Sequence, residues 1–196
     1  MEEQLQKAIT VLKAGGIVIF PTDTAYGIGC RIDDRHAIDR LFTIRKRPVS
    51  QAMPVLVSSK SMAYGYYKNP PEIVAQLMDL YWPGALTIIG PCDPSHIYTP
   101  IRGGTETVGL RMPNHNIPLS LITAVGVPVV GPSANFHGET TPYSFDELNP
   151  ELVRLVDYAL PGKATLGIVS TVVDATESPP KIIRQGAVTI GENLLL

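Results

Sequence analysis

Short, uninterrupted apolar runs constrain this chain more than any other feature. They are IVIF (Ile17–Phe20), MPVLV (Met53–Val57), the LTII of GALTIIG (Leu86–Ile89), TVGLRM (Thr107–Met112) and VPVV (Val127–Val130). A strand covered on one face alternates apolar with polar residues, whereas IVIF, MPVLV and VPVV mark strands buried on both faces; LTII and TVGLRM read as further strands. Helical patterns separate them. Leu5, Ile9 and Leu12 share one helix face, and Gly15-Gly16 ends that helix. Asp33 or Asp34 caps a second helix that buries Ile38, Leu41 and Phe42 and closes at Pro48. PPEIVAQLMDLYW, IPLSLITAVG and ELVRLVDYAL read as further helices, and GIVSTVVDA and KIIRQGAV as closing strands. The irregular alternation predicts an α/β fold built on an open, mixed sheet.

With 196 residues, no internal repeat and no linker, one domain over residues 1–196 is expected. A hydrophobic fraction of 44% against 17% charged residues excludes a disordered chain. The net charge of -2 argues against wholesale coating of nucleic acid. No apolar run approaches the roughly 18 residues of a membrane span, and the acidic, amphipathic start MEEQLQKAIT is unlike a secretory leader. Cys30 and Cys92 fit no metal spacing and read as free thiols, so a cytoplasmic protein is expected.

Polar clusters sit where the apolar runs end: PTDTAYG after IVIF, PNH after TVGLRM, PSANFHG after VPVVG, then STVVD and IIRQG. Substrate sites in open α/β sheets form at strand ends. Each cluster also has an ordinary reading. Thr22, Asp23 and Thr24 suit a turn whose side chains bond the local backbone. Arg45, Lys46 and Arg47 suit a solvated helix end, Arg111 a salt bridge, and Ser133 and Asn135 a turn. His36, His96, His115 and His137 share no spacing and read as surface or hydrogen-bonding residues. Taken together, hydroxyls, amides and guanidiniums with one acid in the first cluster suit an anionic ligand. Neither G-x-x-x-x-G-K-[ST] nor G-x-G-x-x-G follows a strand, so a nucleotide would be held by another loop architecture.

PTDTAYGIGC, KRP, YWPGALTII, LRMPNH, PSANFHG, STVVD and IIRQG occur in that order. The chain thereby resembles the YrdC-like threonylcarbamoyl-adenylate synthases from about Ala14 to Ala187. The resemblance implies a twisted open sheet flanked by helices, with the site on a concave face. It implies a reaction in which L-threonine, bicarbonate and ATP, with Mg²⁺, give threonylcarbamoyl-AMP and pyrophosphate. A downstream complex would then transfer the threonylcarbamoyl group to tRNA. Thr22, Thr24, Tyr26, Arg111 and Ser170 fall on the threonine side, with Arg111 on the carboxylate. Arg45, Lys46, Arg47, Thr107, Ser133, Asn135, Thr141 and Arg184 fall on the ATP side. No covalent nucleophile and no protein-held metal is implied.

Two departures stand out: Arg45 occupies a position where the family has Lys, and Lys46 one where Gly is common. The end at Leu196 suggests the short family form. Pro21 is expected to set the exit of the first strand and Gly27 to let the chain turn away. Asp23 would orient the loop or meet the substrate amine. The competing readings are a double-stranded RNA-binding module, which a basic concave face would suit, and a paralogue of the same fold without synthase activity.

Overall fold

The computed structural model describes residues 2–194. Its elements run α1 (Glu2–Lys13), β1 (Val18–Pro21), β2 (Tyr26–Arg31), α2 (Arg35–Ile44), β3 (Val55–Leu56), α3 (Lys60–Tyr64), α4 (Glu72–Tyr81), β4 (Leu86–Pro91) and β5 (Thr107–Arg111). They continue through α5 (Asn116–Val125), β6 (Val129–Val130), α6 (Pro150–Leu155), β7 (Tyr158–Ala159), β8 (Thr171–Asp174) and β9 (Lys181–Arg184). The strands form one mixed sheet in the order β7-β1-β2-β6-β3-β5-β4-β8-β9. No helix among the described residues is long and apolar enough to cross a membrane.

The two-sided burial expected of IVIF is what the sheet uses. Ile17 and Ile19 enter the larger core, with Ile38, Leu41 and Phe42 of α2 and Val74, Leu77 and Met78 of α4. Val18 and Phe20 point the other way, into a second core formed with Ala8, Ile9 and Leu12 of α1 and Leu121 and Ile122 of α5. The same division runs through β3 and β6, where Val55 and Val130 face the first core and Leu56 and Val129 the second. Asp34 caps α2 by accepting the Ala37 N–H, and Ser59 caps the short α3, which no sequence pattern announced.

Beyond β3 the second face changes character. Leu86 and Ile88 of β4 and Val108 and Leu110 of β5 fill the first core. Their alternate neighbours Thr87, Ile89, Thr107, Gly109 and Arg111 look out from the opposite face, and neither α1 nor α5 contributes to the core there. That half of the sheet is the floor of a cleft.

Two expectations are corrected. The chain does not turn away at Gly27: Tyr26–Arg31 is strand β2, antiparallel to β1, with Phe20 opposite Gly27 and Pro21 opposite Tyr26. β2 needs its glycine at 29 because its other neighbour lies very close; a Cβ on Gly29 would sit 1.9 Å from the Val130 carbonyl oxygen. ELVRLVDYAL is not wholly helical either. Helix α6 stops at Leu155, and Tyr158–Ala159 becomes β7, parallel to β1. Asp157 drives that switch, since its carboxylate accepts the Ile17 N–H at 2.7 Å and its own N–H donates to the Ile17 carbonyl.

Candidate functional site

The hairpin turn Thr22–Ala25 is wound around the Thr22 hydroxyl. That oxygen donates to the Ala25 carbonyl at 2.7 Å and accepts the Thr24 and Ala25 N–H groups at 3.2 Å. The ordinary turn reading of this stretch therefore holds, and a site is built on it as well. Thr22, Thr24, Ala25, Tyr26 and Gly27 line one wall of a cavity. Its other walls are Pro54 and Leu56, Gly131–Ser133, Thr141, Val169 and Ser170, with Thr87, Arg111 and Arg184 also reaching it.

Arg111, at the end of β5, is 5% exposed. Its Nε donates to the Gly84 carbonyl at 3.0 Å, Nη1 to the Thr24 hydroxyl at 2.7 Å, and Nη2 to Asp23 Oδ1. Burial pulls this guanidinium below the usual arginine value; Asp23 opposes that pull and Arg184 adds to it. Asp23 thus orients Arg111 from behind. It is 3% exposed and does not line the cavity, and its Oδ2 is buried without a hydrogen-bond partner.

A second network holds the opposite side. Arg184 donates from Nε and Nη2 to the Ser170 carbonyl, at 3.1 and 2.9 Å, and from Nη2 to the Ser170 hydroxyl at 3.0 Å. Ser170 Oγ in turn lies 3.0 Å from Thr87 Oγ1. Thr87 escaped the sequence reading because it sits inside an apolar run; the signal was its place opposite Leu86 and Ile88 in the strand alternation. Tyr26, fully buried, anchors the wall with an O–H bond of 2.7 Å to the Gly162 carbonyl.

Adjoining this polar cavity and sharing Pro54, Thr87 and Arg184 with it is a more apolar compartment lined by Ala52, Met53, Ile89, Thr107, Gly109 and Val172. The cleft therefore has a polar end and an apolar end. Thr107 belongs to the latter.

Arg45, Lys46, Arg47 and Asn135 line neither compartment. Arg45 is 2% exposed and turned onto the loop after β6, with Nε on the Asn135 carbonyl at 3.0 Å and Nη2 on Asn135 Oδ1 at 3.3 Å. Burial first, and Arg47 second, pull its guanidinium down to about 10; Nη1 is buried without a partner. Asn135 Oδ1 also accepts the Ser133 hydroxyl at 2.6 Å, and its amide nitrogen donates to the Phe136 and Glu139 carbonyls. Every hydrogen-bonding position of that side chain is used within the protein, so Asn135 props up Ser133, which does face the cavity. Arg47 braces the cleft margin by donating to the Gln51 and Ala52 carbonyls. Lys46 is exposed, with its ammonium 4.5 Å from the centre of the Phe136 ring.

Among the described residues, the cavity lining contains two guanidiniums and six hydroxyl side chains besides Tyr26, and no carboxylate. No group of acidic, His or Cys side chains among the described residues is arranged to hold a metal. Such a surface binds anionic and hydroxylic groups and positions them; it offers no covalent nucleophile poised against a base.

The Sua5/YciO/YrdC family model, described as telomere recombination, matches residues 10–186. A Bacillus subtilis protein named threonylcarbamoyl-AMP synthase is 32% identical over 96% of this chain and 55% of its own length. A Pyrococcus abyssi protein of the same name is 33% identical over 97% of this chain and 56% of its own. The chain therefore spans little more than half the length of these curated relatives. The structure of P. abyssi Sua5 complexed with L-threonine superposes with a TM-score of 0.87 at 32% identity, covering 95% of this chain and 55% of that one. The Escherichia coli YciO structure, 24% identical, shares the fold with a TM-score of 0.82 over 100% of this chain and 94% of its own.

Proposed function

The chain belongs to the Sua5/YciO/YrdC family, and from that premise we propose that it is a threonylcarbamoyl-AMP synthase. The carrying observation is the buried Arg111 guanidinium, fixed by Asp23, Thr24 and Gly84 at the polar end of the cleft. A fixed cation among hydroxyls is the complement of an amino-acid carboxylate.

In this reading threonine lies at the polar end, its carboxylate on Arg111 and its polar groups within reach of Thr22, Thr24 and Ser170. ATP enters from the apolar end, where Thr107, Ile89 and Val172 meet the base, and its phosphate oxygens reach Arg184, which both compartments share, and Ser133 on the polar side. The threonine ammonium gives up a proton to solvent, and the resulting amine nitrogen bonds to the carbon of bicarbonate with loss of water, giving a carbamate. A carbamate oxygen then bonds to the α-phosphorus as the bond to the β-phosphate breaks, and pyrophosphate leaves. The protein's part is to align three reactants and offset their negative charge. Mg²⁺ enters as part of the nucleotide substrate. The cavity lining offers it no carboxylate, so Mg²⁺ would be held through the nucleotide and not by protein side chains. Arg45 and Asn135 act at one remove, holding Ser133, and Arg47 supports the margin of the apolar compartment through the Gln51 and Ala52 carbonyls. The product would pass to a separate transfer machinery acting on tRNA, and exposed Lys46 is available for contact with RNA.

The test is pyrophosphate release from ATP with threonine and bicarbonate each supplied or withheld. Release that requires both supports the synthase. Release that ignores threonine, from folded protein, removes it and leaves the non-synthase paralogue.

A further inference from the structure

A buried arginine beside a nucleotide site has a selectivity problem. Phosphate and sulfate match a guanidinium as well as a carboxylate does, and ATP brings several phosphate oxygens into the same cleft. Arg184 makes the problem worse, because it places a second guanidinium on the cavity while no carboxylate lines it. Among the described residues, the carboxylate in contact with this system is Asp23, behind Arg111 and shut away from solvent.

We infer that Asp23 is a positioning residue that sets specificity, cancelling the charge of Arg111 so that this end of the cleft takes an amino-acid zwitterion and refuses free phosphate-like anions. This rests on the reading of the polar end as the threonine site. Three observations carry it. Asp23 accepts from Nη2 of Arg111, the nitrogen beside the one that faces Thr24 and the cavity. Its second oxygen, Oδ2, has no donor and is fully enclosed, so its charge is not dissipated into water or a competing hydrogen bond and acts on the guanidinium at close range. Its backbone is fixed too, since its carbonyl accepts the Leu166 N–H at 2.8 Å and the Thr165 hydroxyl at 3.2 Å. A zwitterion entering beside the compensated pair adds no net charge to the buried site. A free sulfate or phosphate adds at least one negative charge close to a buried carboxylate, and is repelled.

Asp23→Asn separates charge from shape, because the amide oxygen still accepts from Nη2. The probes are sulfate and inorganic phosphate, read by thermal stabilisation of the full chain, which needs no activity. Removing one negative charge at this range strengthens sulfate binding by about tenfold or more in Asp23→Asn, and in the synthase assay sulfate then competes with threonine but not with ATP. Asp23→Glu keeps the charge on a longer arm; it raises the threonine KM and still refuses sulfate. A merely structural Asp23 gives Asp23→Asn the sulfate affinity of the parent, and that result overturns the inference. If Asp23→Asn does not fold, Asp23→Glu carries the test, and a gain in sulfate binding there overturns it equally. A parent protein without threonine-dependent pyrophosphate release defeats the synthase reading, whereas unchanged sulfate affinity in an active enzyme defeats only the role given to Asp23.

Discussion

Arg111 joins binding and stability in one side chain, and its removal should show both. Arg111→Ala leaves Asp23 charged and buried without its partner, which costs about 3–5 kcal/mol. In the protein that remains folded, the threonine KM rises sharply while the ATP KM changes little. Threonine-titrated pyrophosphate release together with urea melts separates the two effects, and an unchanged threonine requirement would falsify the carboxylate assignment. Asn135 poses the converse case, a residue placed by motif on the nucleotide side whose amide is fully used inside the protein. Asn135→Ala keeps the backbone carbonyl that Arg45 Nε meets but removes the acceptor of the buried Nη2 and frees Ser133, at a cost of about 1–3 kcal/mol, with a raised ATP KM and a steady threonine KM. Arg111 lines the polar cavity and Asn135 lines neither compartment, a difference the motifs do not express. They did not distinguish a side chain that faces the cavity from one that holds it up, because that depends on partners such as Glu139 and Gly84 which no local pattern reveals.

The apolar runs and caps were legible at the level of elements because their causes are local: two-sided burial in IVIF, Asp34 at the start of α2, Gly126 at the end of α5. β2 was not legible, because the reason for Gly29 lies about a hundred residues away, at Val130. Gly29 is a strand residue whose missing side chain lets the β6 backbone pass. Gly29→Ala therefore drives a methyl group into a backbone carbonyl that has no rotamer to yield, and the loss should reach or exceed the about 1–3 kcal/mol of ordinary overpacking. Denaturant midpoints would show it, and a midpoint equal to the parent's would mean that β2 and β6 are not paired as described. The cleft floor was half legible: alternation in β4 and β5 separates Leu86, Ile88, Val108 and Leu110 from Thr87, Ile89, Thr107 and Gly109, but the absence of a helix over the second set is a matter of topology.

At the scale of the molecule, the sheet closes by joining distant parts of the chain, and Asp157 is one of the clasps. Burial would raise its pKa, but the Arg40 guanidinium and the Ile17 N–H outweigh that and hold it below the usual carboxylate value. A depressed carboxylate contributes stability that is present above its unfolded pKa and is lost as pH falls through the folded value. Asp157→Asn should therefore be less stable than the parent at neutral pH, with the difference shrinking below about pH 4. Urea melts across that range check it, and a difference that stays constant with pH assigns the effect to packing instead of charge. The same clasp has a consequence for how the protein is made. The Ile17–Asp157 bond spans 140 positions of sequence, and a ribosome adds roughly 5–20 residues per second. The outer edge of β1 thus waits on the order of ten seconds for its partner to be synthesised, as an apolar strand with unpaired backbone groups. Variants that weaken β7 should therefore lower the yield of soluble protein before they measurably change the folded protein.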